Sequence, residues 1–184
     1  MASWHWREWA TDSEQLRRLD LLGKVPLFAG LSRRQLGKLL VKLFEKEYEP
    51  GETIFLEGEP GKALFIVLDG RVSIVHAGHG AEERVATLAP GAYFGELALI
   101  DDLPRSASAR ADEHSALLIL YKSHFDDLIE GHSTIAIQVM GNLLKALAGY
   151  VRAAHARSAG HVATLPESAT ALEQGEKPSE RPQR

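Results

Sequence analysis

Between Phe44 and Tyr121 the chain breaks into short runs of β-forming residues with glycine at nearly every joint, and this texture limits the fold more than any other feature. Thr53-Ile-Phe-Leu56, Leu64-Phe-Ile-Val-Leu68, Val72-Ser-Ile-Val75, Val85 to Leu88 and Ala116 to Tyr121 each have the length and composition of a strand. Gly51, Gly58, Gly61, Gly70, Gly78, Gly80, Gly91 and Gly95 fall between or beside them, where tight reversals are made. Strands joined in this way predict an antiparallel β-roll or jelly-roll barrel.

Helical spacing flanks the β region on both sides. Leu16, Leu19 and Leu22 recur at a helical period until Val25-Pro26 interrupts it. Ser32-Arg-Arg-Gln35 has the form of a capping box, in which a serine hydroxyl and a glutamine side chain satisfy amides at a helix start, and Leu36, Leu39, Leu40 and Leu43 follow. From about Thr134 to Arg157, Ile135, Val139, Leu143, Leu147, Tyr150 and Ala154 form one broad apolar stripe, which predicts a long helix with a face to bury. The expected architecture is mainly β with helical flanks: a lead-in over residues 14–43, a roll over 44–121 and C-terminal helices over 122–157. Residues 1–13 read as an extension bearing Trp4, Trp6 and Trp9, which pack on the domain or face a partner, and residues 158–184, rich in Ala, Glu, Ser and Pro, as a disordered tail.

Composition narrows the function. With 21 Lys and Arg against 25 Asp and Glu, the chain lacks the basic footprint of a nucleic-acid binder, and no nucleic acid is expected as a partner. No cysteine is present, which excludes disulfides, thiolate metal sites and cysteine nucleophiles and suits a reducing, cytoplasmic compartment. The sequence contains no unbroken apolar run of bilayer length, so no membrane span is expected.

The segment Phe94-Gly-Glu-Leu-Ala-Leu-Ile-Asp-Asp-Leu-Pro-Arg-Ser-Ala-Ser-Ala109 lies between predicted strands yet resembles neither a strand nor a tight turn. Gly95 permits a sharp turn, after which Glu96 to Ile100 can form one helical turn whose amides suit an anion. Glu96 lies in an apolar run and calls for a donor, such as a ligand hydroxyl. Arg105, its approach set by Pro104, offers a guanidinium fork matched to phosphate, and the small residues Ser106 to Ala109 let backbone come close. A carboxylate acceptor and a cationic fork together read a sugar phosphate. Taken singly, the same residues have plainer roles: Arg105 as a surface partner of Asp101 or Asp102, Glu96 as an exposed carboxylate at a helix start.

The segment resembles the phosphate-binding cassette of the cyclic nucleotide-binding domain family, the sensor domain of catabolite activators and protein kinase A regulatory subunits. Val25-Pro-Leu-Phe28 with Leu31-Ser32 is similar to the family's helical lead-in, and Glu57-Gly58 through Leu64-Phe-Ile-Val67 and Gly70 to its early strands. The resemblance covers about residues 14 to 157. It implies that Glu96 accepts from a ribose 2′-hydroxyl, that Arg105 pairs with a cyclic phosphate, and that amides near Gly95, Leu97, Ala98 and Ser106 complete the cradle. It implies also a base lid on the long helix, Tyr150 by gapless spacing or His155 one turn on, against the plainer role of helix packing. The serine after Arg105 puts cAMP ahead of cGMP as ligand.

The expectation is a non-enzymatic sensor, without cofactor or metal, that signals through its C-terminal helix to a protein partner or a second copy. Its rivals are an interaction module of the same fold without ligand, and a regulator of the catabolite activator type lacking its helix-turn-helix. His76 and His79 sit in a glycine-rich turn unsuited to oriented metal ligands, and Gly58-Glu-Pro-Gly-Lys62 lacks the spacing of a nucleotide-binding Walker loop.

Overall fold

A computed structural model describes residues 12–77 and 82–162. The lead-in comprises α1 (Asp12–Leu22), a 3-10 turn (Pro26–Phe28) and α2 (Arg33–Leu40). Two four-stranded antiparallel sheets follow, built from β1 (Phe44–Tyr48), β2 (Thr53–Phe55), β3 (Ala63–Asp69), β4 (Val72–Ala77), β5 (Glu82–Leu88), β6 (Tyr93–Phe94), β7 (Ser108–Ala111) and β8 (Ser115–Tyr121). One sheet runs β1-β8-β3-β6 and the other β2-β7-β4-β5. A second 3-10 turn (Glu96–Leu99) separates β6 from β7, and α3 (Lys122–Gly131) and α4 (Ser133–Val162) end the described chain. The chain divides into two compact units at Lys145, inside α4.

The predicted β-roll with helical flanks is the fold observed. β3 explains how it closes: strand side chains alternate between faces, and Ala63, Phe65 and Val67 join Tyr48, Val72, Phe94, Ala109, Ala111, Leu117 and Ile119 in one core between the sheets. The alternate residues Leu64 and Ile66 are equally buried on the opposite face, as are Leu118 and Leu120 of β8. Lead-in residues Leu22, Leu27, Phe28 and Leu39, with Phe125, Leu128, Ile135, Val139 and Leu143 of α3 and α4, are withdrawn from solvent as well. Each such side chain contributes about 1.5–3 kcal/mol relative to exposure.

The capping box forms as predicted: Ser32 Oγ accepts from Gln35 N, and Gln35 Oε1 accepts from Ser32 N at 2.9 Å. At the β3–β4 hairpin Gly70 holds φ +82°, with His114 and Ser115 packed where a side chain would project. Asn142 of α4 is buried and donates to Leu27 O at 3.0 Å and Ala29 O at 2.8 Å, and Gln138 Nε2 adds a bond to Ala29 O at 3.1 Å. The first turns of α4 are thereby tied to the 3-10 turn in the middle of the lead-in.

Several expectations change. β1, β6 and β7 are strands that the sequence reading did not delimit, and the ends of the segment Phe94 to Ala109 belong to β6 and β7. The proposed stripe on α4 is buried at Ile135, Val139 and Leu143, whereas Tyr150 is exposed. A second apolar face, Ile137, Leu144 and Val151, is also exposed. The helix continues to Val162, past the boundary at 158. By length and composition Thr134–Ala156 is apolar enough to cross a membrane, although Lys145 and Arg152 interrupt its apolar run. Its initial turns, however, are spent in the domain core and in the Asn142 and Gln138 bonds. Trp4, Trp6, Trp9, His79 and residues 163–184 lie outside the described residues.

Candidate functional site

The sharp turn expected at Gly95 is present: its φ of +72° starts the 3-10 turn Glu96–Leu99. A Cβ at this position would stand 2.6 Å from Arg105 Nη1 and 3.2 Å from Ala63 O, so only glycine lets the guanidinium lie against the turn. Arg105 Nη1 donates to Gly95 O at 3.2 Å and Nη2 to Ala63 O at 2.9 Å. Its Cζ stands 4.2 Å above the centre of the Phe55 ring and 5.5 Å from that of Phe65. Arg105 Nε is buried and has no hydrogen-bond partner. The plainer role of a surface arginine paired with Asp101 or Asp102 is not what the geometry gives.

The backbone around Arg105 is fixed by a loop distant in sequence. Arg105 N donates to Glu59 O at 2.7 Å, Gly58 N donates to Arg105 O at 2.9 Å, and Pro60 bridges Pro104. Glu57 N donates to Ser108 Oγ at 2.9 Å, while the Glu57 carboxylate accepts from Ala77 N at 3.1 Å and meets His76 Nδ1 at 3.2 Å. These bonds hold Glu57 below the usual carboxylate range, the Ala77 amide contributing most. The Gly58–Lys62 loop, set aside as a phosphate loop, is thus the brace of the arginine.

Glu96 follows Gly95 directly and faces the field of Arg105, yet among the described residues no ion pair joins them. Burial pushes its carboxyl above the ordinary range, against the pull of its own backbone N–H and of Arg105. Burial likewise lowers the Arg105 guanidinium, opposed by Glu59 and then Glu96, and with an ordinary value above ~12 the group stays cationic. A half-buried carboxylate and a half-buried guanidinium therefore belong to one short segment and feel each other's charge, with hydrogen-bonding capacity left on both.

The remaining predicted cradle residues have separate surroundings. Ala98 is buried and its N–H donates inward to Gly95 O at 3.3 Å, whereas Leu97 and Ser106 are exposed beside the turn. Tyr150 and His155 lie on α4 beyond Lys145, in the second unit, both exposed. Phe55, Ala63 and Glu59 are the participants that sequence reasoning missed. The aromatic character of Phe55 was visible, but its proximity to a residue 50 positions later was not.

Residues 45–132 match the family model for the cyclic nucleotide-binding domain. The chain carries a cyclic nucleotide-binding domain. It is 37% identical over 123 residues to the cyclic AMP receptor protein of Thermus thermophilus, covering 66% of this chain and 57% of that protein. It is 40% identical over 87 residues to a cAMP-dependent protein kinase regulatory subunit of Mycosarcoma maydis, covering 47% of this chain and 17% of the subunit. The solved structure of a cyclic nucleotide-binding domain from Methylobacillus flagellatus superposes with a TM-score of 0.70 at 25% identity, covering 85% of this chain and 88% of that one. The chain thus spans little more than half of the first curated relative and a sixth of the second. Within the domain, the 3-10 turn Glu96–Leu99 and Arg105 lie between β6 and β7.

Proposed function

We propose that this chain is a cytoplasmic, non-enzymatic sensor of a cyclic mononucleotide, cAMP ahead of cGMP. One observation carries the reading: Arg105 is anchored on two backbone carbonyls while its buried Nε has no partner, beside a Glu96 carboxylate with acceptor capacity to spare. Arg105 would donate to the cyclic phosphate and Glu96 would accept from the ribose 2′-hydroxyl, with amides at Gly95, Leu97 and Ser106 nearby. Ser106 and the two cAMP-named relatives support cAMP as the ligand.

Output passes through α4. Ile137, Leu144 and Val151 are seven residues apart and exposed, and Met140, Leu147 and Ala154 complete a heptad pattern. Between Thr134 and Ala156 the charged residues are Lys145 and Arg152 alone, both off that seam. A protein partner or second copy seated there would sense the domain through a ligand that prefers one arrangement of the helix.

Calorimetry of the stripped chain against cAMP, cGMP and a cyclic dinucleotide tests the reading. Ligand at ~100 times Kd adds about 2.7 kcal/mol of stability, an upward melting shift of about 5–10 °C. Arg105→Ala abolishes both signals. Absence of binding by the unaltered chain overturns the sensor and leaves an interaction module of the same fold. A cAMP-dependent shift of duplex DNA would reinstate the transcription-regulator reading.

A further inference from the structure

We infer that Phe55 is a positioning residue for the phosphate-reading guanidinium: its ring forms the floor on which Arg105 lies, and so sets the direction in which the free Nε edge points. The inference rests on the proposed sensor function and adds to it a residue outside the cassette. Three close contacts fix the Arg105 guanidinium, with the Phe65 ring farther off at 5.5 Å from Cζ. Two are backbone carbonyls, Gly95 O and Ala63 O, which any side chain elsewhere leaves in place. The third is the Phe55 ring, 4.2 Å below Cζ, and it alone is supplied by a replaceable side chain at such close range.

The floor is itself rigid. Phe55 packs on Phe65 with ring centres 5.5 Å apart and on Phe94 at 5.8 Å, and Phe65 and Phe94 stack at 5.2 Å. Strand β2 carries Phe55, and its partner β7 begins three residues after Arg105, with Phe55 paired to Ala109. The ring sits on one strand of a pair and the guanidinium just before the other. A cation over an aromatic face is attracted to the ring quadrupole, more strongly once water is excluded, and guanidinium, flat and weakly hydrated, stacks best among side-chain cations. An aliphatic residue would fill the volume but supply neither the attraction nor the flat seat.

The test compares wild type, Phe55→Ile, which keeps an apolar β-former in the strand, and Phe55→Trp, which keeps a ring. The Arg105 Nε–H resonance of the ligand-free chain should be displaced by the ring current in wild type and in Phe55→Trp, and should return to the ordinary position in Phe55→Ile. Calorimetry with cAMP should show Phe55→Ile weaker by about 3- to 30-fold, with Phe55→Trp restored to near wild-type affinity. Undiminished affinity in Phe55→Ile, or equal loss in Phe55→Trp and Phe55→Ile, overturns the inference. If wild type binds no cyclic nucleotide the sensor function falls, and the Nε resonance then judges the seat by itself: an undisplaced wild-type signal overturns it.

Discussion

Replacing Gly95 with alanine separates backbone strain from the placement of Arg105. At φ +72° an alanine costs about 1–2 kcal/mol in the left-handed region, which for a chain of this size lowers the melting temperature by about 2–8 °C. The added Cβ also arrives 2.6 Å from Arg105 Nη1 and 3.2 Å from Ala63 O. The guanidinium is the flexible end of its side chain and yields, so the collision costs stability little and position much. Losing one charged hydrogen bond to a phosphate, about 1.5–3 kcal/mol, weakens ligand binding by about 10- to 150-fold. Gly91 supplies the control: its φ is +87° and nothing lies within 4 Å of its virtual Cβ. Gly91→Ala should therefore share the melting loss and keep wild-type affinity. The pair is read by differential scanning fluorimetry and by calorimetry with cAMP. Equal affinities in the two variants would refute the claim that Gly95 exists to admit the arginine.

Gly70→Ala drives a Cβ into Ser115 Oγ and His114 O in a left-handed hairpin position, and should cost about 2–5 kcal/mol, read as a lowered urea midpoint. Asn142→Ala strips donors from Leu27 O and Ala29 O, and should cost about 1–3 kcal/mol in the same assay. For Glu96, whose pKa is raised in the folded chain, the contribution to stability is greatest below the unfolded carboxylate value and is lost as pH rises through the folded one. Ligand affinity runs the other way: the ionised acceptor is needed, so Kd from pH-stepped calorimetry should worsen as pH falls through that raised value. Glu96→Gln should melt higher than wild type and bind more weakly at pH 7; a lower melting point would show that the carboxylate is not held against its preference.

What could be read from the chain is what is encoded locally. The Ser32–Gln35 box lies within one turn of helix, and the strands of alternating or doubly buried residues announced themselves by composition. β1 did not, because Phe-Glu-Lys-Glu-Tyr is mostly charged and becomes a strand only through pairing with β8 from Phe44–Ile119 to Tyr48–Ser115. β7 was hidden for a related reason: Ser-Ala-Arg-Ala has weak strand preference and is recruited by β2 and β4. At the site, Gly95, Glu96 and Arg105 could be picked out because turn, acid and guanidinium sit in one short segment. The carbonyl of Ala63 could not, since it lies 42 positions from Arg105 and meets it only after the roll closes. The exposed face of α4 escaped notice because the helix carries two apolar faces, and a single stripe drawn through Ile135 accounts for one of them.

The four outer strands of the two sheets, β1, β6, β2 and β5, share a protective property. β6 has two residues and β2 three, too few to template a neighbour, while β1 presents Glu45, Lys46 and Glu47 and β5 presents Glu82, Glu83 and Arg84. An incoming strand from another molecule would find either no ladder to extend or a row of charges to desolvate, the devices by which β proteins resist edge-to-edge aggregation. Self-association is thereby discouraged along every sheet margin.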